Sequence, residues 1–321
     1  RHNPMVLVQS LAESALAYFA VYQVLLWLDT PTAVAGALAL VAMAASPTVL
    51  TRVVADTRAA GPVTERAIVL TTLSTLYVLT LGSARAELMN RPAQSLLETI
   101  SPVMVVLGIS ILSAALLALL MRWALRFMSP ASENTTIVLL ALIAAASAMA
   151  SHLGGSAPLA ALLGGMLLKH WYPRPWAWPR QLGPVSSLLN MLLFVLVSTV
   201  AAQADWSAPV AGVVLALITV RLLAKAVGVG LGNVGSGASW RQALWLGCAM
   251  TPMSAIALLI ASQFVVASPA TGYLIARVAL PAILLMEIAG AVLATVAIYR
   301  AGESSRPWAP LAARAGKGDT P

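Results

Sequence analysis

The sequence predicts an all-α polytopic membrane protein with ten transmembrane helices, and three observations carry that expectation. Of 321 residues, 60% are hydrophobic and 9% charged, with a mean hydropathy of +0.88, whereas water-soluble domains carry about 25% charged residues. The apolar residues gather in runs suited to crossing about 30 Å of hydrocarbon. Two of these runs are broken by a proline, at Ala45-Ser46-Pro47-Thr48 and at Met250-Thr251-Pro252-Met253-Ser254. A broken backbone in hydrocarbon is costly unless protein groups, ions or water satisfy it.

The runs fall at 5–28, 32–51, 67–83, 100–121, 135–153, 158–168, 183–203, 208–233, 241–266 and 273–299. The first contains Glu13, about a third of the way in, and the second contains the Pro47 break. The sixth is short. Between the sixth and seventh lies His170–Leu182, whose Pro173, Pro175, Pro179 and three tryptophans suit a membrane interface. The eighth holds Arg221 and Lys225, the ninth the Pro252 break, and the tenth Glu287 near its middle. Two regions follow: residues 1–299 as the transmembrane domain and 300–321 as a Gly/Pro/Ala-rich cytoplasmic tail, expected to be disordered.

Positive charge sets the orientation. Fourteen basic residues fall on one side: Arg1, Arg52, Arg58, Arg66, Arg122, Arg126, Lys169, Arg174, Arg180, Arg241, Arg300, Arg306, Arg314 and Lys317. Only Arg85, Arg91 and Arg277 fall on the other. Cytoplasmic loops hold the excess of Lys and Arg, so both ends of the chain are expected in the cytoplasm. The same placement explains the net charge of +8 without nucleic acid as a partner. The one cysteine, Cys248, lies in an apolar helix and reads as a small buried hydrophobe.

Spans one to three and spans eight to ten form triplets of opposite direction, each with its break in the middle member. Such inverted repeats with paired broken helices mark secondary transporters, whose half-helix ends face the substrate or coupling ion. Ionisable groups within spans are candidate functional residues, since insertion costs about 2.5–3.5 kcal/mol for each near the centre. Glu13 suits either a cation or proton ligand or the partner of a nearby base. Glu287 is too deep to reach the interface easily. Arg221 and Lys225, four residues apart, share a helix face. Arg221 is central, whereas Lys225 is close enough to the helix end for snorkelling to be the alternative. His152, at a helix end, reads as interfacial.

Each broken helix presents a partly positive N-end and a partly negative C-end. Arg221 or Lys225 suits the C-ends; an acid or bound anion suits the N-ends. Ser46, Thr48, Thr251 and Ser254 can ligate an ion or satisfy the freed backbone groups. Gly228-Val-Gly230-Leu-Gly232 follows a membrane helix, not a strand, and with Gly164-Gly165 reads as close helix packing. No cluster has metal-ligand spacing and no nucleophile elbow is present, so neither a cofactor nor an enzyme is expected.

The order of these motifs resembles the monovalent cation/proton antiporter superfamily, in its bacterial sodium or potassium/proton exchanger branch. The likeness covers nearly the whole chain. It is carried by Ala45-Ser46-Pro47-Thr48 running through Arg52 and Asp56 to Gly61-Pro62-Val63-Thr64, by 158–168 with 193–197, by 222–228 with 239–244, and by 287–290 with 300–303. The resemblance implies alternating access, monovalent cations and protons as cargo, a homodimer, and a bacterial inner-membrane location. Members usually have about thirteen helices, which implies about three more before Arg1, consistent with a chain lacking an initiator Met.

Two departures bear on function. The family's cation-binding aspartates fall in register at Ser74 and Thr75, and its Arg-Gly pair falls at Met253-Ser254. Lys225 matches the family's membrane lysine, which would pair with those aspartates. A hydroxyl ligates Na⁺ but does not titrate near pH 7. Either Glu13 or Glu287 has taken over proton coupling, or an ion moves without protons, or the fold serves as a non-transporting scaffold or sensor. A sodium/organic-anion symporter of related architecture is a further alternative, although its breaks belong in the fourth and ninth spans.

Overall fold

The computed structural model describes residues 5–90, 95–129, 132–171, 182–202, 207–233, 239–253 and 255–305. Among these residues are twelve helices and no strand. They are α1 (Met5–Trp27), α2 (Thr32–Met43), α3 (Pro47–Thr57), α4 (Pro62–Asn90), α5 (Leu96–Phe127), α6 (Glu133–His152), α7 (Ala157–Trp171), α8 (Leu182–Ala202), α9 (Ala208–Leu231), α10 (Trp240–Ala249), α11 (Ala255–Ala267) and α12 (Pro269–Ala301). The pairs α2/α3 and α10/α11 each fill one broken span, so the twelve helices occupy the ten predicted segments. Hydrocarbon offers no partner to a backbone N–H, which is why an apolar chain of this kind satisfies itself as helices.

Seven stretches are long and apolar enough to cross a membrane: Met5–Trp27, Thr32–Thr57, Pro62–Met89, Leu97–Phe127, Glu133–His152, Ala208–Leu231 and Pro269–Ala301. Several helices outrun their apolar runs, and α4 does so at both ends. Charged and polar residues such as Glu65, Arg85 and Glu87 carry it beyond 67–83, because an apolar run marks the hydrocarbon crossing and not the end of the helix. At the start of α5 the Ser95 hydroxyl accepts from Glu98 N (3.2 Å) and caps the helix four residues before the apolar run begins.

The core is built around α2, whose residues Val34–Met43 are all buried. Helices α1, α4, α9, α11 and α12 pack on it, with Leu38, Leu79, Phe264 and Ile283 in one apolar cluster. A second cluster joins α3, α4, α10 and α12 through Leu50, Leu70, Leu246 and Ile298. A third joins α5, α6 and α7 through Leu117, Leu139 and Leu168.

Glycines bring α9 against α1. A Cβ on Gly228 would lie 2.6 Å from Glu13 Cα, and one on Gly232 would lie 2.6 Å from Gln9 Cα, so only glycine permits this approach. Gly164 likewise abuts Leu117, but Gly165 faces open space, and the packing role expected of both belongs to Gly164 alone.

Helix α12 runs through Ala301, past the boundary expected at 299, and ends on Gly302 with φ +76°. The Glu303 carboxylate then accepts from Val63 N (2.7 Å), Thr64 N (2.7 Å) and Thr64 Oγ1 (2.6 Å), capping the N-terminus of α4. The start of the expected tail is thus part of the fold. Its remainder, 306–321, lies outside the described residues, as does 172–181 of the tryptophan-rich connection.

Candidate functional site

The two breaks meet. Ser46 N–H donates to Pro252 O (3.0 Å), joining the α2/α3 break to the α10/α11 break. Pro47 opens α3, where the missing N–H of proline costs nothing, and Ser46 caps it by accepting from Val49 N (3.2 Å). The Ser46 and Thr48 hydroxyls lie 3.1 Å apart. Gly290 on α12 lets Pro252 approach, since a Cβ there would meet Pro252 Cα at 2.6 Å. Thr251 Oγ1 donates to Cys248 O (2.8 Å) and more weakly to Gly290 O (3.4 Å).

The last carbonyls of α2 and α10 have no helical partners, and Arg221 gathers them. Its Nε donates to Ala42 O (2.7 Å), Nη2 to Ala44 O (2.7 Å) and Nη1 to Thr251 O (2.6 Å). A rigid five-donor fork suits this three-way contact, and a positive charge suits two negative helix ends. Arg221 is fully buried.

Lys225, one turn along α9, is also fully buried. It donates to Met43 O (3.2 Å) and forms an ion pair with Glu13 on α1, so it turns inward and does not snorkel. Glu13 is fully buried too. Its Oε2 accepts from Ser74 Oγ on α4 (2.9 Å) and from Ser14 Oγ (3.1 Å), and the two hydroxyls are 3.2 Å apart. Thr75 turns elsewhere, donating to Ala45 O in the first break (3.0 Å) and to Thr71 O (2.8 Å).

Position 74 therefore lies at the site, but the carboxylate opposite Lys225 comes from α1. The lysine partner implied at 74 or 75 is replaced by Glu13. The structure unites Glu13, Ser74, Lys225, Arg221, Ser46 and Thr251 around the crossing.

Glu287 stands apart from the ion pair. It lines a cavity of about 340 Å³ with Ser46, Thr48, Arg52 and, from α8, Ser187, Met191 and Phe194. Its Oε2 is buried without a hydrogen-bond partner among the described residues. Ser254 lies outside the described residues. His152 is exposed at the end of α6, and the Cys248 thiol is free and half-buried.

Gln9, Ser10 and Ser14, which were not among the expected site residues, extend the buried polar face of α1 around Glu13. Their spacing held the signal: Gln9 and Glu13, and Ser10 and Ser14, are each four apart and so share one side of a helix.

A buried carboxylate flanked by two hydroxyls can hold a proton or a monovalent cation, and in this structure the Lys225 ammonium neutralises Glu13. A family model described as "Sodium/hydrogen exchanger, transmembrane" matches residues 4–299. The structure is similar to that of the sodium proton antiporter MjNhaP1 from Methanocaldococcus jannaschii at pH 8, with a TM-score of 0.68 and 15% identity over 92% of this chain and 78% of that one. Among curated proteins, none matches the chain in sequence.

Proposed function

This chain belongs to the transmembrane sodium/hydrogen exchanger family, and we propose that it exchanges Na⁺ or K⁺ for protons by alternating access, with the Glu13–Lys225 pair as the site where they compete: the cation takes Glu13 and the proton leaves Lys225. The observation that carries this reading is the buried Glu13–Lys225 pair beside the crossed breaks. An arriving cation takes the Glu13 carboxylate, with the Ser14 and Ser74 hydroxyl oxygens completing part of its shell. The Lys225 ammonium then loses its counter-charge. An unpaired buried ammonium is costly, so cation binding drives its proton off. Release of the cation on the other side reverses the exchange as Lys225 regains a proton and returns to Glu13.

Arg221 serves differently. It binds backbone carbonyls on both broken helices, holding the crossing together and keeping its charge throughout the cycle. The cavity lined by Glu287, Ser46 and Thr48 is the approach by which a hydrated cation nears the crossing. Its oxygen lining suits Na⁺ and K⁺. The Pro47 and Pro252 breaks allow the half-helices to shift about the centre without unwinding a continuous helix.

The asymmetry of basic residues supports an orientation with both of these chain ends in the cytoplasm, and the inner-membrane location follows from the resemblance. Assembly as a homodimer follows from the resemblance. Everted vesicles containing the full-length protein test the function: Na⁺ or K⁺ should collapse an imposed pH gradient. A flat response to both from pH 6 to 9 overturns the exchange reading and leaves a scaffold or sensor.

A further inference from the structure

Gln9, Ser10, Glu13 and Ser14 form one inward face of α1, and all four are buried. Glu13 and Ser14 bind one another and Ser74, but their neighbours one turn earlier are incomplete. Gln9 donates through Nε2 to Val229 O (3.0 Å). A carbonyl only accepts, so the amide nitrogen must face Val229 and Oε1 must face away. That Oε1 and the Ser10 Oγ have no hydrogen-bond partner among the described residues.

An unsatisfied buried polar atom costs about 1–3 kcal/mol, and two occur here in adjacent residues. Ordered water is the ligand that resolves this, since buried waters make about three hydrogen bonds to such orphaned groups. We propose that Gln9 and Ser10 hold a short file of water linking Glu13 to the membrane face at which α1 begins, and that the Glu13–Lys225 pair exchanges protons with that face along it during the part of the cycle in which the site faces that side.

The lengths fit. Gln9 precedes Glu13 by four residues, or about 6 Å along a helix, a gap that one water spans with two hydrogen bonds of about 2.8 Å. A further turn leads to Met5 and Val6, which are only partly buried. Ser10 both donates and accepts and so relays protons, while Gln9 Oε1 only accepts and so anchors and orients a water. Each hop breaks one O–H bond as the next forms, and the file returns to its starting composition by reorientation. The file is distinct from the cavity at Glu287, whose lining contains no α1 residue, so proton and cation reach the crossing by different routes.

This inference rests on the Glu13–Lys225 pair as the proton-exchanging site, but its first test needs no transport. In a Cys248→Ala background, Ser10→Cys and Gln9→Cys variants in vesicles of each orientation are exposed to Ag⁺, and blocked thiols are counted by mass spectrometry after unfolding. At least one of the two thiols should react, from one membrane face only, while Ala17→Cys, buried on the same helix beyond Glu13, stays unreacted. No reaction at either position from either face overturns the file, whether or not the protein exchanges ions. In the exchange assay, Gln9→Leu/Ser10→Ala should lower the maximal rate about tenfold, the worth of roughly one hydrogen bond to a charged chain, with the half-saturating cation concentration unchanged. An unchanged rate overturns the proton route. A flat wild type refutes the exchange reading instead.

Discussion

Replacing Lys225 with methionine while keeping Glu13 should destabilise the protein far more than replacing both. Both side chains are fully buried and paired, and removing one partner of such a pair costs about 3–5 kcal/mol because the other charge is left uncompensated. Glu13 keeps its hydrogen bonds from Ser14 and Ser74, which as bonds to a charged group are worth about 1.5–3 kcal/mol each and place Lys225→Met toward the lower figure. Lys225 in Glu13→Gln keeps one contact, to Met43 O, so that variant falls nearer the upper one. Large domains lose about 2–4 °C of Tm per kcal/mol, so the single variants should melt roughly 6–20 °C below wild type. The double variant Glu13→Gln/Lys225→Met removes both charges of the pair, leaving neither without its partner, and should recover most of the loss. Thermal unfolding of the purified protein in detergent, followed by tryptophan fluorescence, measures all four corners of the cycle. Additive losses in the double variant would refute the pairing.

Other consequences follow from neighbouring contacts. Arg221→Lys keeps the charge but cannot reach three carbonyls at once. It should lose two hydrogen bonds of about 1.5–3 kcal/mol each, seen as a fall in Tm with protease sensitivity appearing near the breaks. Gly228→Val drives side-chain carbons into the Glu13 backbone, and overpacking of about 1–3 kcal/mol should lower both Tm and yield, whereas Gly165→Val, in open space, should change neither. Glu303→Ala removes the cap on α4 and should cost about 1 kcal/mol, with faster hydrogen exchange at 60–65.

The broken spans could be read from the chain because Pro47 and Pro252 fall in the middle members of two opposite triplets, whereas Pro102 and Pro281, without such a match, sit inside continuous helices. Segment count could be read because hydrocarbon demands long apolar runs. Helix ends could not: α4 and α12 continue where charged residues meet the interface, which an apolar window does not detect. The site was partly legible. Arg221 and Lys225 announced a shared face, and half-helix C-ends called for their charge. Their partners are mostly backbone carbonyls of Ala42, Met43, Ala44 and Thr251, which carry no residue-type signal. Glu13 is 212 positions from Lys225, and no local spacing links them; family register pointed to position 74, which supplies a hydroxyl to the same carboxylate. Glu303 was missed because its cap closes over 240 positions.

Proton release on cation binding tests most directly whether Glu13 has become the coupling carboxylate. Purified protein in weakly buffered detergent solution, with a pH-indicating dye, is mixed with Na⁺ or K⁺. Wild type should release protons, Glu287→Gln should release as many, and Glu13→Gln should release none while remaining folded. Undiminished release from folded Glu13→Gln would contradict the account.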